Sequence, residues 1–169
     1  MLTAVAMFDD LLKANQRYQA EFHDSGMAGT AAKGLAVLTC IDSRIDPLAM
    51  LGLRPGDAKI IRNAGARVTE DSLRSLVLAA NLLGVTRLCV VQHTDCAMVG
   101  RCNEDVAARI GAQRGVDATG WDFLTSMNQV ETLHRDIALI SSCALLPPAF
   151  QVGGFIFDVH SGELVPVAL

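Results

Sequence analysis

Four short apolar runs, separated by stretches with helical spacing, constrain this chain more than any other feature. Leu35-Ala36-Val37-Leu38-Thr39, Ala58-Lys59-Ile60-Ile61, residues 87–92 and Phe155-Ile156-Phe157-Asp158-Val159 each read as a strand. Between the second and third, Thr69 opens a helix whose Leu73, Leu76, Val77, Ala80 and Leu83 share one face, and Gly84 stops it. Trp121 to Ile140 reads as a further helix, and Leu146-Pro147-Pro148 as a break. Such alternation argues for an α/β fold with a mostly parallel sheet flanked by helices. An order 2-1-3-4 sets the first strand beside the third. Ser161-Gly162 then turns Leu164-Val165-Pro166-Val167 back as an antiparallel edge strand 5, where a proline is tolerated. In such sheets ligands bind beyond the carboxyl ends of the strands, where neighbouring crossovers diverge.

The remaining segments are shorter. Residues 7–22 carry Met7, Leu11, Leu12, Tyr18 and Phe22 at helical spacing, which predicts an amphipathic helix. Asp46-Pro47 can cap and start a short helix that Gly52 ends. Residues 103–118 are helix-compatible but weakly patterned. With 169 residues the chain reads as a single domain over 1–169, whose N-terminal helix spans about 3–23.

Composition excludes several classes of function. The net charge is −4 with no Lys/Arg cluster, which argues against a nucleic-acid partner. The apolar stretch at the N-terminus is too short for a membrane span and lacks a basic flank. Five cysteines, an odd number, point to unpaired thiols in a reducing compartment, so the expected location is cytoplasmic. Hydrophobic residues make up 51% of the chain, enough for some to serve a partner subunit, most simply in a two-fold homodimer.

Chemistry concentrates at the ends of two strands. The first leads into Cys40-Ile41-Asp42-Ser43-Arg44 and the third into Gln92-His93-Thr94-Asp95-Cys96. Taken singly, a cysteine after a buried strand is most often a small buried hydrophobe, and His-x-x-Cys arises by chance. Cys89, inside a strand, fits that reading, as do Cys102 and Cys143. The combination changes the balance. Cys40, His93 and Cys96 supply two thiolates and an imidazole, a donor set that suits zinc with one open position. The three-residue spacing of His93 and Cys96 suits one face of a helical turn. Asp42 and Arg44 form a carboxylate–guanidinium pair beside them, in which Arg44 would hold Asp42 as an acceptor next to the metal. Other sites fit less well. The chain has no Cys-x-x-Cys, no Walker A and no Gly-x-Gly-x-x-Gly. A Cys40–His93 nucleophile–base pair leaves Cys96 without a role.

Cys40-x-Asp42-Ser43-Arg44 followed by His93-x-x-Cys96 resembles the β-class carbonic anhydrases. Asp46-Pro47, Gly52-Leu53-x-x-Gly56-Asp57-Ala58, Arg62-Asn63-Ala64-Gly65 and Gly154-Phe155-Ile156-Phe157-Asp158-Val159-x-x-Gly162-x-Leu164 agree with it, so the resemblance runs from about 35 to 167. It implies the compact members of that family: a parallel sheet with an antiparallel edge strand, dimers or multiples of dimers, and an N-terminal helix packed on the neighbouring subunit. Carried over, Cys40, His93 and Cys96 bind Zn2+, and Asp42 with Arg44 form the catalytic dyad. Asp42 becomes a fourth ligand only in a closed state of the site. The implied reaction is reversible hydration of carbon dioxide to bicarbonate and a proton, with zinc lowering the pKa of its water from about 15.7 to about 7 to supply hydroxide.

Two departures stand out. Gln92 and Ala97 occupy positions where the family more often has glycine, and the Ala97 methyl is expected to shift the loop or narrow the pocket. The family's bicarbonate-inhibited subgroup has a tryptophan where this chain has Val37, so its regulatory site is not expected although Arg62 matches. His23, His134 and His160 carry no positional argument for a proton shuttle. Two other functions share the site: hydrolysis of carbonyl sulfide or carbon disulfide on the same fold, and a non-catalytic zinc-stabilised binding module. The Asp42–Arg44 pair argues against the last, because a structural zinc prefers four protein ligands.

Overall fold

Strand β1 (Leu35–Cys40) is buried at all six positions, which a strand achieves only in the middle of a sheet covered on both faces. In the computed structural model, which describes residues 7–23 and 26–168, it is hydrogen-bonded in parallel to β2 (Ala58–Asn63) on one side and β3 (Arg87–His93) on the other. Strand β4 (Gln151–Phe157) extends the sheet in parallel beside β3. Strand β5 (Leu164–Val167) closes the edge antiparallel to β4, with Pro166 opposite Phe155. The order β2-β1-β3-β4-β5 is the expected one, which the strand–helix alternation permits without requiring.

Helices α2 (Glu70–Leu82) and α4 (Gln129–Ser141) cover one face of the sheet. Leu76 and Ala79 from α2 and Leu133, Ile137 and Ile140 from α4 meet Ala36, Leu38, Leu88 and Val90 there. Leu133 and Ile140 are essentially inaccessible, and burying each is worth roughly 1.5–3 kcal/mol relative to exposure. The opposite face packs Val37, Val91 and Phe157 under Ile45, Met50, Leu51 and Leu53, from short segments instead of a long helix. The Asp46 carboxylate caps the turn Ala49–Leu51 by accepting from the amides of Leu48 and Ala49, and Gly52 ends it in a left-handed conformation. Thr69 and Ser72 close a capping box at the start of α2. Helix α3 (Asn103–Arg114) is capped at Cys102 and buries only Ala107.

Helix α1 (Asp9–Glu21) lies within the expected span; residues 3–6 of that span lie outside the described residues. Every described residue of 7–23 is exposed, including Phe8, Leu11, Leu12, Tyr18 and Phe22.

Three expectations need correction. The last helix starts at Gln129, not Trp121. Asp122 accepts from the Leu124 amide, Leu124 takes a left-handed backbone (φ 54°), and Ser126 bridges to Val99, so the chain reaches a cap only at Asn128, which accepts from Glu131. Strand β4 spans 151–157, not 155–159. Gly153 and Gly154 are inside it, and α4 lies against Gly154, where a Cβ would sit 2.8 Å from Ile137 Cδ1. The strand stops at Phe157 because Asp158 opens the hairpin, accepting from the amides of His160 and Ser161. Finally, residues 93–96 form no helical turn. Thr94 donates its amide to Phe157, and Asp95 has φ 55°, which reverses the chain tightly enough to bring Cys96 back beside His93.

Candidate active site

The carboxyl ends of β1 and β3 are neighbours, so the chain segments that follow them converge. Cys40 closes β1, His93 closes β3, and the turn at Asp95 returns Cys96. Their ligating atoms all lie within 4.8 Å of one another, and all three residues are buried. His93 Nδ1 lies 2.8 Å from the Thr94 carbonyl oxygen. A carbonyl only accepts, so Nδ1 carries the proton and Nε2 of the neutral ring presents a lone pair. That Nε2 is buried with no hydrogen-bond partner among the described residues. A buried orphan nitrogen costs free energy unless something fills its place. Two sulfurs and this nitrogen form a donor set that fits a soft or borderline divalent metal.

The thiols are tuned by each other. The Cys96 thiol donates toward Cys40 and holds the Cys40 pKa well below the usual thiol range; burial opposes this, while the Gly65 amide assists. Cys96 is pushed up for the same reason and keeps the shared proton. Gly65 donates its amide to Cys40 Sγ at 3.3 Å. Its φ of 79° is open to glycine, which lets the backbone approach the sulfur this closely. The loop is clamped from behind. Asn63 accepts from the Arg67 amide and donates to its carbonyl, while the Arg67 guanidinium pairs with the buried Asp136 of α4 at 2.7 Å.

Beside the three donors, Asp42 and Arg44 form a two-pronged pair. Arg44 Nε donates to Asp42 Oδ1 at 2.9 Å and Nη2 to Oδ2 at 2.8 Å, and the Arg44 amide adds a third bond to Oδ1. Asp42 Oδ2 is also 3.9 Å from His93 Nε2. The Arg44 contacts hold the Asp42 carboxyl below the usual carboxylate range. Arg62 braces the same turn, donating to the carbonyls of Cys40 and Asp42.

Sequence reasoning missed two neighbours. Asp95 accepts a second ion pair from Arg44 Nη1 at 2.7 Å. Gln129, the first residue of α4, donates to the His93 carbonyl at 2.9 Å. Asp95 sits inside the His-x-x-Cys motif, but only the folded turn aims it at Arg44. Gln129 was hidden by the misplaced start of α4. Alternation along β3 turns the buried Gln92 to the face opposite His93. Ala97 is exposed and lines, with Val99, Arg101 and Gln129, a cavity of about 370 Å³ that opens onto His93 and Cys96.

A family model described as "Carbonic anhydrase" matches residues 35–136, a span that contains every residue of this cluster. The chain belongs to the β-carbonic anhydrase family. It is 33% identical over 156 residues to Beta-carbonic anhydrase 1 of Mycobacterium tuberculosis, covering 92% of this chain and 94% of that protein. The crystal structure of carbonic anhydrase from Streptococcus mutans superposes with a TM-score of 0.90 at 36% identity, covering 99% of this chain and all of that one. A Carbon disulfide hydrolase of an Acidianus strain is 48% identical over 154 residues, covering 77% of this chain and 75% of that protein. The chain therefore resembles relatives named for more than one activity.

Proposed function

We propose that this β-carbonic anhydrase family member catalyses the reversible hydration of carbon dioxide to bicarbonate and a proton, with one zinc ion per chain. The observation that carries the reading is the Arg44–Asp42 pair set against the Cys40–His93–Cys96 cluster. Cys40, His93 and Cys96 would hold the metal. When bound, zinc supplies a Lewis acid that brings the pKa of a water ligand to about 7.

The chain's own residues do the rest. Asp42, kept ionised by Arg44, is an acceptor only. It takes a hydrogen bond from the attacking water and so aims the oxygen lone pair at the carbon of carbon dioxide. Because Arg44 engages both Asp42 oxygens, the carboxylate would be held from ligating a metal bound by Cys40, His93 and Cys96, leaving room for water. His93 is steadied through its Nδ1 by the Thr94 carbonyl. The proton leaves to buffer.

The Acidianus relative supports a second reading, in which the same cluster hydrolyses carbon disulfide or carbonyl sulfide. The first is preferred because the sequence match to the Mycobacterium tuberculosis carbonic anhydrase spans more of this chain than that to the Acidianus relative, and because the Streptococcus mutans carbonic anhydrase superposes over nearly all of it. One experiment separates them. Stopped-flow bicarbonate formation from carbon dioxide is compared with sulfide release from carbonyl sulfide and carbon disulfide, in the zinc-loaded protein and in Asp42→Ala. The expected result is rapid hydration that falls by about 10²-fold or more in Asp42→Ala with zinc content unchanged. Sulfide release without hydration would establish the second reading. Activity near wild type in Asp42→Ala would refute the role of the dyad.

Assembly is part of the same reading. The exposed apolar residues of α1 suit a second copy of the chain, which makes the working unit a homodimer or a multiple of it. The free cysteines suit a reducing, cytoplasmic location. No described helix is long and apolar enough to cross a membrane.

A further inference from the structure

The Arg44 guanidinium has two hydrogen-bonding edges, and different carboxylates occupy them. The Nε–Nη2 edge faces Asp42, at 2.9 and 2.8 Å. The Nη1–Nη2 edge faces Asp95, whose Oδ2 accepts from Nη1 at 2.7 Å and whose backbone carbonyl accepts from Nη2 at 3.1 Å. Asp95 also occupies a left-handed backbone conformation (φ 55°), a state costly for most residues but tolerated by aspartate. That conformation places its side chain and its carbonyl on the same guanidinium. The Asp95 carboxylate is 64% exposed, so desolvation does not explain the pairing. An exposed ion pair by itself contributes little to stability. Its geometric consequence is larger. With one edge committed to Asp95, the planar guanidinium cannot rotate about its own axis, and only its other edge is left for Asp42.

We infer that Asp95 is the positioning residue of the Arg44 guanidinium, fixing through it the orientation of the Asp42 carboxylate. This rests on the role proposed for Asp42. Asp95 touches neither metal donor atoms nor substrate in this arrangement; it acts through Arg44. It also ties the segment after β1, which carries the dyad, to the turn after β3, which lies between the proposed metal donors His93 and Cys96. The feature that matters is a hydrogen-bond acceptor at the Asp95 side chain, not its charge. A second carboxylate competing for the same cation weakens the hold on Asp42 electrostatically, so charge alone would act in the wrong direction.

The test uses the zinc-loaded full chain and the variants Asp95→Ala, Asp95→Asn and Asp42→Ala. Zinc content, kcat and KM for carbon dioxide hydration, and the 15N side-chain resonances of Arg44 are measured for each. The clamp predicts separate, slowly exchanging Nη1 and Nη2 signals in the wild type. It predicts that Asp95→Ala retains zinc, averages the Nη signals and lowers kcat about tenfold or more with little change in KM. Asp95→Asn, which keeps an acceptor, restores most of the activity and the separate signals. A wild type with freely rotating Nη groups would overturn the inference. So would Asp95→Ala with unchanged kcat, or with lost zinc, which would place Asp95 in the metal loop instead. Asp95→Asn as impaired as Asp95→Ala would show that charge is what matters, and would also overturn it. If Asp42→Ala is fully active, the dyad reading has failed, and the Arg44 resonances then judge the clamp on their own.

Discussion

At the scale of single residues, the five cysteines separate by where the fold puts them. Cys40 and Cys96 are buried beside His93, whereas Cys89 is half-buried in β3 and packs in the core beneath the site. Cys96→Ser replaces a thiolate with a neutral hydroxyl and is expected to lose most bound zinc, while Cys89→Ser keeps it; elemental analysis of the purified variants checks both. Asp42 supplies a pH prediction. Its folded pKa is depressed by Arg44. Its contribution is therefore fully present above the unfolded value of about 3.9, and is lost only as pH falls through the still lower folded value. The Asp42 carboxyl carbon should show no titration step between pH 5 and 8, about a unit or more above that reference, in 13C NMR. In Arg44→Ala its titration should move up toward the usual carboxylate range.

Between elements, the decisive tie runs from α4 to the loop after β2. Asp136 is buried, and accepts from the Arg67 guanidinium at 2.7 and 3.2 Å and from the Val68 amide. Arg67 also donates to the Leu124 carbonyl, anchoring the irregular stretch before α4. Together with Asn63 these bonds hold Gly65 against Cys40 Sγ. Asp136→Ala would leave a largely buried guanidinium without its carboxylate, at a cost of about 3–5 kcal/mol. Urea denaturation is expected to show that loss as a lower midpoint, and metal retention against a chelator should weaken with it. Asp136→Asn, which retains one acceptor, should lose less on both measures.

For the whole molecule, the sheet is covered unequally. Helices α2 and α4 seal one face, and short segments cover the other. Helix α1 stands with its apolar side chains exposed, Leu11 at 59% and Tyr18 at 63%. An exposed stripe of that size on one helix suits a subunit interface. Deleting residues 1–22 is expected to give either aggregation or a monomer with reduced hydration activity. Analytical ultracentrifugation combined with the stopped-flow assay checks this, and a fully active monomer would refute the assembly proposed here.

Local chemistry determined much of this before any contact was known. The mostly parallel sheet followed from apolar runs alternating with helical patterns, because a parallel sheet needs covered faces and crossover helices, whereas the strand order was permitted by that pattern and fixed only by the fold. The Cys40, His93 and Cys96 cluster was legible because each residue stands at or just beyond the carboxyl end of a buried strand. The Asp46 cap, the Thr69 helix start and the Ser161-Gly162 turn were legible because each is made by residues close in sequence. What escaped depends on partners far along the chain. The start of β4 before Phe155 shows only when Leu133 and Ile137 pack onto it and leave no room for a Cβ at Gly154. Gln129 finds the His93 carbonyl only once α4 lies against β3. Asp95 meets Arg44 across 51 positions of sequence, through a turn whose left-handed residue no local pattern announces. Hydrogen bonds between distant segments have no period in the sequence, so only the tertiary structure decides which carboxylate faces which guanidinium.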